Sequence, residues 1–387
     1  MNFVHKRFDT SYQLNLIFRL PERLPENILE TKQQNGGKIS ALFKLAILNQ
    51  NAMERQNNLK QLIAQNYPNC AFQLDFAAAD ADFRRYFRAT FDNGDTLICM
   101  DAPPDKMSIE PYLKVREVFS AVRVPELYVI DKQQGFIIME DLGRATFLQA
   151  MQEDTREEVH KVLLLEAVDT LIDLQKSSKV GVLPEYDEAT LRREINLFPE
   201  WYAPKEKNHH FTLQQQKVWQ DGLNILLPEL LNQPKVFVHR DFIVRNLMLR
   251  ADRPGVLDFQ DALYGSIVYD LLSLTRDAFI EWEEEFVLDI VIRYWEKARA
   301  AGLPVHQNFD DFYKAYEFAG VQRHFKVIGI FARLKHRDGK DKYAAEIPRF
   351  IKYLHKTLRR YNELVPLKQI LTEICGQDSE EVTGYSF

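Results

Sequence analysis

Apolar and polar residues change rhythm along this chain of 387 residues. Between Phe72 and Gly143 they tend to alternate, the two-residue period of half-buried strands. FQLDFAAAD, RRYFRATF and TLICMDAP each read as a strand, and FDNGDT joins the last two through an Asn-Gly hairpin turn. PYLKVREVFSAV reads as a helix, and VPELYVID and GFIIMEDLG follow as strands joined by a QQG turn. From Thr146 onward the apolar residues recur at helical spacing. FLQAMQ comes first, then TREEVHKVLLLEAVDTLIDLQK with Thr155 as its N-cap. Later helices are EFVLDIVIRYWEKARAAG, DFYKAYEFAGVQRHFKVIGIFARLKHR and PRFIKYLHKTLRRYNELV. This order predicts an α+β fold of two lobes with a cleft between them. The β-rich N-lobe spans residues 53–143 and the helical C-lobe spans residues 144–387.

Residues 1–52 show no sustained period. They contain a Pro-punctuated middle and a QQNGG turn or linker, and MERQNNLKQLIAQNYP then opens an amphipathic helix at Met53. One reading is a poorly ordered extension. The preferred one is upstream sequence translated in error, with Met53 as the true start. No functional residue is expected there, and no internal repeat or low-complexity tract is present.

Hydrophobic residues make up 46% of the chain and aromatics 12%, enough for large cores. The net charge of −6 argues against a general nucleic-acid binder, which needs a basic face. No apolar run approaches the ~20 residues of a membrane span, so no membrane partner is expected. Cys70, Cys99 and Cys375 are few and far apart. They form neither a zinc spacing nor a disulfide framework, which points to a reducing cytoplasm.

The chemistry concentrates in VFVHRDFIVRNLMLRADRPGVLDFQD, residues 236–261. Asp241 follows a short apolar run, Asn246 lies five positions on, and Asp258 ends the next run. Asp and Asn are common turn residues, so D-x-x-x-x-N alone is weak. A preceding His, flanking strands and a second Asp make it specific for phosphoryl transfer. Asp241 can accept the proton of an attacking hydroxyl. Asn246 and Asp258 can hold Mg²⁺, which prefers oxygen ligands. His239 and Arg240 would brace the loop. Asp261 either caps a helix ALYGS or adds an acidic group at the metal or substrate. Asp270 lies on an apolar helical face, and a buried carboxylate must be paired. The backbone of the catalytic loop is its expected partner, a structural role.

H-R-D-F-I-V-R-N followed by V-L-D-F-Q-D-A resembles the aminoglycoside phosphotransferase and choline kinase group, which shares the bilobal protein-kinase-like fold. The resemblance covers about residues 60–365. DADFRRYFRATF, LICMDAPPDKMSIEPYL, GFIIMEDLG, DFQDALYGSIVYDLLSLTRDAF and GVQRHFKVIGIFARLKHRDGKDKY resemble a narrower family. These are the anomeric N-acetylmuramate and N-acetylglucosamine kinases of bacterial cell-wall (peptidoglycan) recycling, which place phosphate on the sugar C1 hydroxyl. The resemblance implies ATP and Mg²⁺ as cofactors and an amino sugar as the small-molecule partner. It implies Asp241 as catalytic base and Asn246 and Asp258 as metal ligands. Backbone groups of Glu140, Asp141 and Leu142 would meet the adenine, and residues around Asp80 to Arg85 would cover the phosphates.

The chain departs from the general kinase pattern. Met100 and Asp101 stand where a strand lysine usually meets the α- and β-phosphates, and no G-x-G-x-x-G loop exists. Arg84, Arg85, Arg88 or Lys106 could supply that charge. Alternation puts Arg84 and Arg88 on one strand face and Arg85 on the other. The plainer reading is an exposed strand face. For the lactyl carboxylate of N-acetylmuramate, Arg245, Arg323, His324 and Lys326 are candidates, since arginine suits planar carboxylates. The plainer reading of QRHFK is an amphipathic helix with a solvated face. Aminoglycoside kinases typically need an acidic pocket, and EWEEEF is the one acidic run here. Contrasting functions are a kinase for another small alcohol and a non-catalytic nucleotide-binding regulator. The intact Asp241, Asn246 and Asp258 set argues against the regulator. D-F-Q in place of D-F-G, with no A-P-E, disfavours a protein kinase.

Overall fold

The computed structural model describes residues 36–79 and 83–377, excepting the side chains of residues 36–50 and 79. The expectations for residues 1–35, and for residues 80–82 of the phosphate-covering segment, lie outside the described residues. The chain divides into two compact units, Met1–Leu62 and Ile63–Phe387. The first contains most of helix α1, Gly36–Asn66. The glycines of QQNGG therefore begin a helix rather than a linker, and Met53 lies inside it. After those glycines the segment has no Gly or Pro and is rich in Leu, Ala, Lys and Gln. Intrinsic propensity there favours helix without any amphipathic period.

In the second unit the strands are β1 (Phe72–Ala79), β2 (Arg85–Phe91), β3 (Thr96–Asp101), β4 (Leu127–Asp131) and β5 (Phe136–Glu140). They form one antiparallel sheet in the order β1-β2-β3-β5-β4. Helix α2 (Glu110–Val118) enters between β3 and β4. Along β2, Phe87, Ala89 and Phe91 are buried at every second position, as the pattern predicts. The register sets Arg85 opposite Asp101 and Arg88 opposite Ile98.

The helical half begins with α3 (Phe147–Glu153) and α4 (Glu157–Lys176). A capping box closes the start of α3 at Thr146 and Gln149. The N-cap of α4 is Arg156, not Thr155, and it makes no side-chain cap. Next come α5 (Glu188–Ile195), a π-turn at Phe198–Tyr202, α6 (Ala203–Glu206) and α7 (Leu213–Leu231). Strands β6 (Lys235–Val238), β7 (Leu247–Met248), β8 (Gly255–Val256) and β9 (Leu263–Ser266) frame the catalytic stretch. ALYGS is thus a strand rather than a helix, because Leu263–Ser266 pairs antiparallel with Lys235–Val238. Helices α8 (Tyr269–Thr275), α9 (Glu284–Ala300), α10 (Phe309–Asp338), α11 (Ile347–Arg360) and α12 (Val365–Cys375) complete the chain.

Helix α10 is the central helix of this half. Every residue from Phe318 to Gly329 is buried, QRHFK included. The solvated-face reading of that segment is therefore overturned. A helix surrounded by others buries its whole circumference, whatever its amphipathic pattern. At Gly329 a Cβ would lie 2.3 Å from the Leu197 carbonyl carbon, so only glycine permits this approach. One apolar cluster runs from Met100, Tyr112 and Phe119 through Phe259 into the helical core. That continuity places the sheet and the helices in one compact unit, which begins at Ile63.

Candidate active site

β6 ends at Val238, and the next residues leave the strand in an unusual conformation. Arg240 has φ 77° and Asp258 has φ 61°, both in the left-handed region that glycine normally fills. Such positions cost about 1–3 kcal/mol each and persist where surrounding bonds over-determine them. The bonds here come from Asp270 on α8. His239 N–H donates to its Oδ2 at 2.6 Å and Arg240 N–H to its Oδ1 at 2.9 Å. A second buried carboxylate, Asp277, accepts the Val244 N–H at 3.2 Å. The His239 ring joins both strands of the stretch. Its Nε2 contacts the Leu257 carbonyl at 2.9 Å, and Nδ1 accepts the Asp241 N–H at 3.3 Å. These partners assign the proton to Nε2, and burial keeps the imidazole neutral by lowering its pKa.

Burial pushes the Asp270 carboxyl up to about 7, against the two N–H groups that favour its ionised form. The unfolded chain releases that proton near the ordinary 3.8. Between these values the native state binds more protons, so Asp270 lowers stability as pH rises from about 4 to about 7. Asp270→Asn should remove a slope approaching about 1.4 kcal/mol per pH unit. Urea melts of both proteins across that range measure it, with the slope and not the midpoint as readout.

The Asp241 side chain is 53% exposed. Burial acts to raise its pKa, but the charges of Lys326, Arg323 and Arg240 outweigh it and hold the carboxyl below its ordinary value. Arg323 Nη2 lies 3.8 Å from Asp241 Oδ1, and its Nε donates to Ser273 Oγ at 2.8 Å. Asn246 reaches back across the loop, its Nδ2 donating to the Asp241 carbonyl at 2.9 Å. That bond leaves the amide oxygen as the atom able to coordinate. Asp258 Oδ1 accepts Gln260 Nε2 at 2.7 Å and lies 3.8 Å from Arg84 Nη2. One carboxylate and one amide oxygen fit Mg²⁺, which keeps several waters and takes few protein ligands.

A cleft of ≈ 350 Å³ opens above these groups. Tyr86, Ile98, Met139, Leu142, Met248 and Leu257 supply apolar walls, and Asn246 and Asp258 lie in its lining. A flat apolar slot ending in oxygen ligands suits a purine nucleotide. The segment joining the lobes is tied on both sides. Glu140 pairs with Arg123, and the Glu140 N–H is committed to the Glu126 carbonyl at 2.8 Å. Glu140 therefore has no N–H to offer an adenine. Arg88 donates to both oxygens of Asp141, at 2.5 and 3.0 Å, and to the Gly143 carbonyl at 2.9 Å.

The candidate arginines thus separate. Arg84 is 4% exposed and reaches Asp258. Arg85 pairs with buried Asp101, and Arg88 lines the cleft while clamping Asp141. Arg245 lies in the cleft lining with its guanidinium 5.4 Å from the centre of the Phe279 ring. Arg323 stands beside Asp241, but His324, one residue on, does not join the site. A step of about 100° on a helix turns it away, and it is buried against Phe350 and Tyr353 of α11. Asp261 is exposed in the turn before β9 and caps no helix. Its carbonyl accepts Arg240 Nη1 at 3.1 Å.

Lys326 leads to residues that no motif marked. Its Nζ lies 3.0 Å from Glu194 Oε2 and within 3.4 Å of the Tyr186 and Tyr269 hydroxyls. Glu194 also pairs with Arg240. Burial works to raise the Glu194 carboxyl, but Lys326 and Arg240 together hold it below the ordinary range. This buried cluster adjoins Asp241 and commits Lys326 to Glu194.

The chain matches the Phosphotransferase enzyme family over residues 74–304. It is 62% identical over 335 residues to the N-acetylmuramate/N-acetylglucosamine kinase of Neisseria meningitidis serogroup B, covering 87% of this chain and 100% of that protein. It is 44% identical over 301 residues to the protein of the same name from Pseudomonas aeruginosa, covering 77% and 87% of the two chains. Its fold resembles the crystal structure of aminoglycoside phosphotransferase APH(2'')-Ib in its ADP-bound form. That match has a TM-score of 0.52 and 16% identity, and covers 78% of this chain and 98% of that one. Among the described residues no helix is long and apolar enough to cross a membrane. The match over residues 74–304 and the identity to these relatives show that the chain belongs to the phosphotransferase enzyme family.

Proposed function

We propose that this enzyme transfers the γ-phosphoryl group of ATP to the C1 hydroxyl of N-acetylmuramate or N-acetylglucosamine. The observation that carries the reading is a braced loop that exposes the Asp241 carboxylate while its carbonyl holds the Asn246 amide, with Asn246 and Asp258 both lining the cleft. The names of the relatives support the acceptor. The acceptor oxygen forms a bond to phosphorus while the bond from phosphorus to the β-phosphate oxygen breaks, and ADP leaves with that electron pair. Asp241 receives the acceptor proton. A hemiacetal hydroxyl is more acidic than an ordinary alcohol, so a carboxylate held below its usual pKa is basic enough in a loose transition state. Mg²⁺ held by Asn246 and Asp258 would neutralise charge on the phosphates. Arg323 is placed to orient the acceptor beside Asp241. Arg245, stacked on Phe279, is placed to meet a lactyl carboxylate.

ADP release measured with N-acetylmuramate, N-acetylglucosamine, choline and an aminoglycoside tests the acceptor. Release is expected with the two amino sugars only, and phosphorus NMR of the product should show an anomeric phosphate. Phosphate at C6, or turnover with choline alone, would overturn the assignment.

A further inference from the structure

The absent strand lysine leaves a charge to be supplied. In kinase-type folds that lysine meets the phosphates and pairs with a helix glutamate. Here its position on β3 falls at Met100, which is buried, and Asp101, which is taken by Arg85. On α2 the residue facing inward is Tyr112, whose hydroxyl donates to Met139 Sδ at 3.3 Å and whose ring packs on Phe259 at 4.8 Å. The Arg84 charge is felt at Tyr112, and so is that of Asp258. The guanidinium therefore enters from the foot of β2 into the space between the sheet, α2 and the metal-binding carboxylate.

We propose that Arg84 is a phosphate-contacting cation of this enzyme, its guanidinium held beside Asp258, which lines the cleft. Arg88, Arg144 and Arg245 also line the cleft, but the other candidate cations around this segment are held by closer carboxylates. Arg85 is bound to Asp101, Arg88 to Asp141, and Lys106 lies at the surface 3.2 Å from Asp105. A guanidinium stays charged at every accessible pH and offers a planar fork that fits two phosphate oxygens. The Asp258 carboxylate also compensates the buried charge of Arg84. With Asp258 holding a metal ion, Arg84 would be left to meet the phosphates.

This inference rests on ATP being the phosphoryl donor, and its test does not depend on the sugar. Calorimetric titration of wild type, Arg84→Gln and Arg84→Lys with adenosine, AMP, ADP and ATP in the presence of Mg²⁺ separates base from phosphate binding. In Arg84→Gln, adenosine affinity is expected to stay within about twofold while ADP and ATP weaken by roughly 10- to 100-fold. Arg84→Lys should fall between, since it keeps the charge but loses the fork. Equal weakening of adenosine and ADP would mean that Arg84 only shapes the lobe, and unchanged ADP affinity would mean that it does not touch phosphate. Either result overturns the proposal. Wild type that binds ADP but turns over no amino sugar would instead overturn the acceptor, with the Arg84 result still readable.

Discussion

An Asp241→Asn enzyme is expected to turn over its sugar roughly 10²- to 10⁴-fold more slowly than wild type, with ADP affinity nearly unchanged. The loop is held by main-chain groups of residue 241 and not by its carboxylate. Its N–H donates to His239 Nδ1, and its carbonyl accepts Asn246 Nδ2. The amide side chain is nearly the same size, so those bonds survive. What it loses is the proton acceptor and the negative charge that faces Arg323 and Lys326. Single-turnover kinetics with saturating ATP isolates the chemical step, and a wild-type rate there would remove Asp241 as the base. The cations also shape the pH profile. They hold the carboxyl below its ordinary value, so the wild-type acid limb should fall below the usual carboxylate range.

Glu194→Leu should be the most destabilising single change near the site. Glu194 is buried between Arg240 and Lys326, and the Tyr186 hydroxyl donates to it. Leucine is close in size but leaves the buried Lys326 and the half-buried Arg240 without their carboxylate. Breaking a buried pair from one side costs about 3–5 kcal/mol. The loss has a second consequence. Arg240 holds a left-handed backbone next to Asp241, and Lys326 would be released toward the Asp241 carboxylate. Urea denaturation should show the lost stability, and kcat should fall even at temperatures where the variant is fully folded. Glu194→Gln keeps the hydrogen bonds without the charge and should lie between the two. A Glu194→Leu protein with wild-type stability would show that the cluster is dispensable.

The strands of the N-lobe and the helices α4, α9, α10 and α11 were legible because each is specified by its own period, whereas α7 and the first half of α1 were not. Asp241, Asn246 and Asp258 were legible for a related reason. Their relation is set within 18 residues, by a loop between two short apolar runs whose turn chemistry is local. The departures come where a partner overrides local preference. ALYGS has no strong preference of its own and becomes a strand because β6 lies beside it. QRHFK carries four basic or polar side chains and yet is wholly buried, because the helices packed around α10 supply Glu194, Ser273 and an aromatic cage.

Glu194 shows the limit most clearly. It lies on a short helix 46 residues before Arg240 and 132 before Lys326 in the numbering, and nothing in LRREINLFPEW marks it as paired. Arg84, Arg85 and Arg88 look alike in RRYFR, but strand register sends them to Asp258, Asp101 and Asp141. Arg323 and His324 are adjacent in sequence, and one helical step sends the first to Asp241 and the second to α11. Sequence alone marked the β-rich and helical halves and the loop that carries Asp241, Asn246 and Asp258, because periodicity and loop spacing are short-range properties. Only the tertiary structure decided which cation serves which carboxylate. That choice depends on strand register and helix rotation, which are settled by packing between segments far apart in the chain.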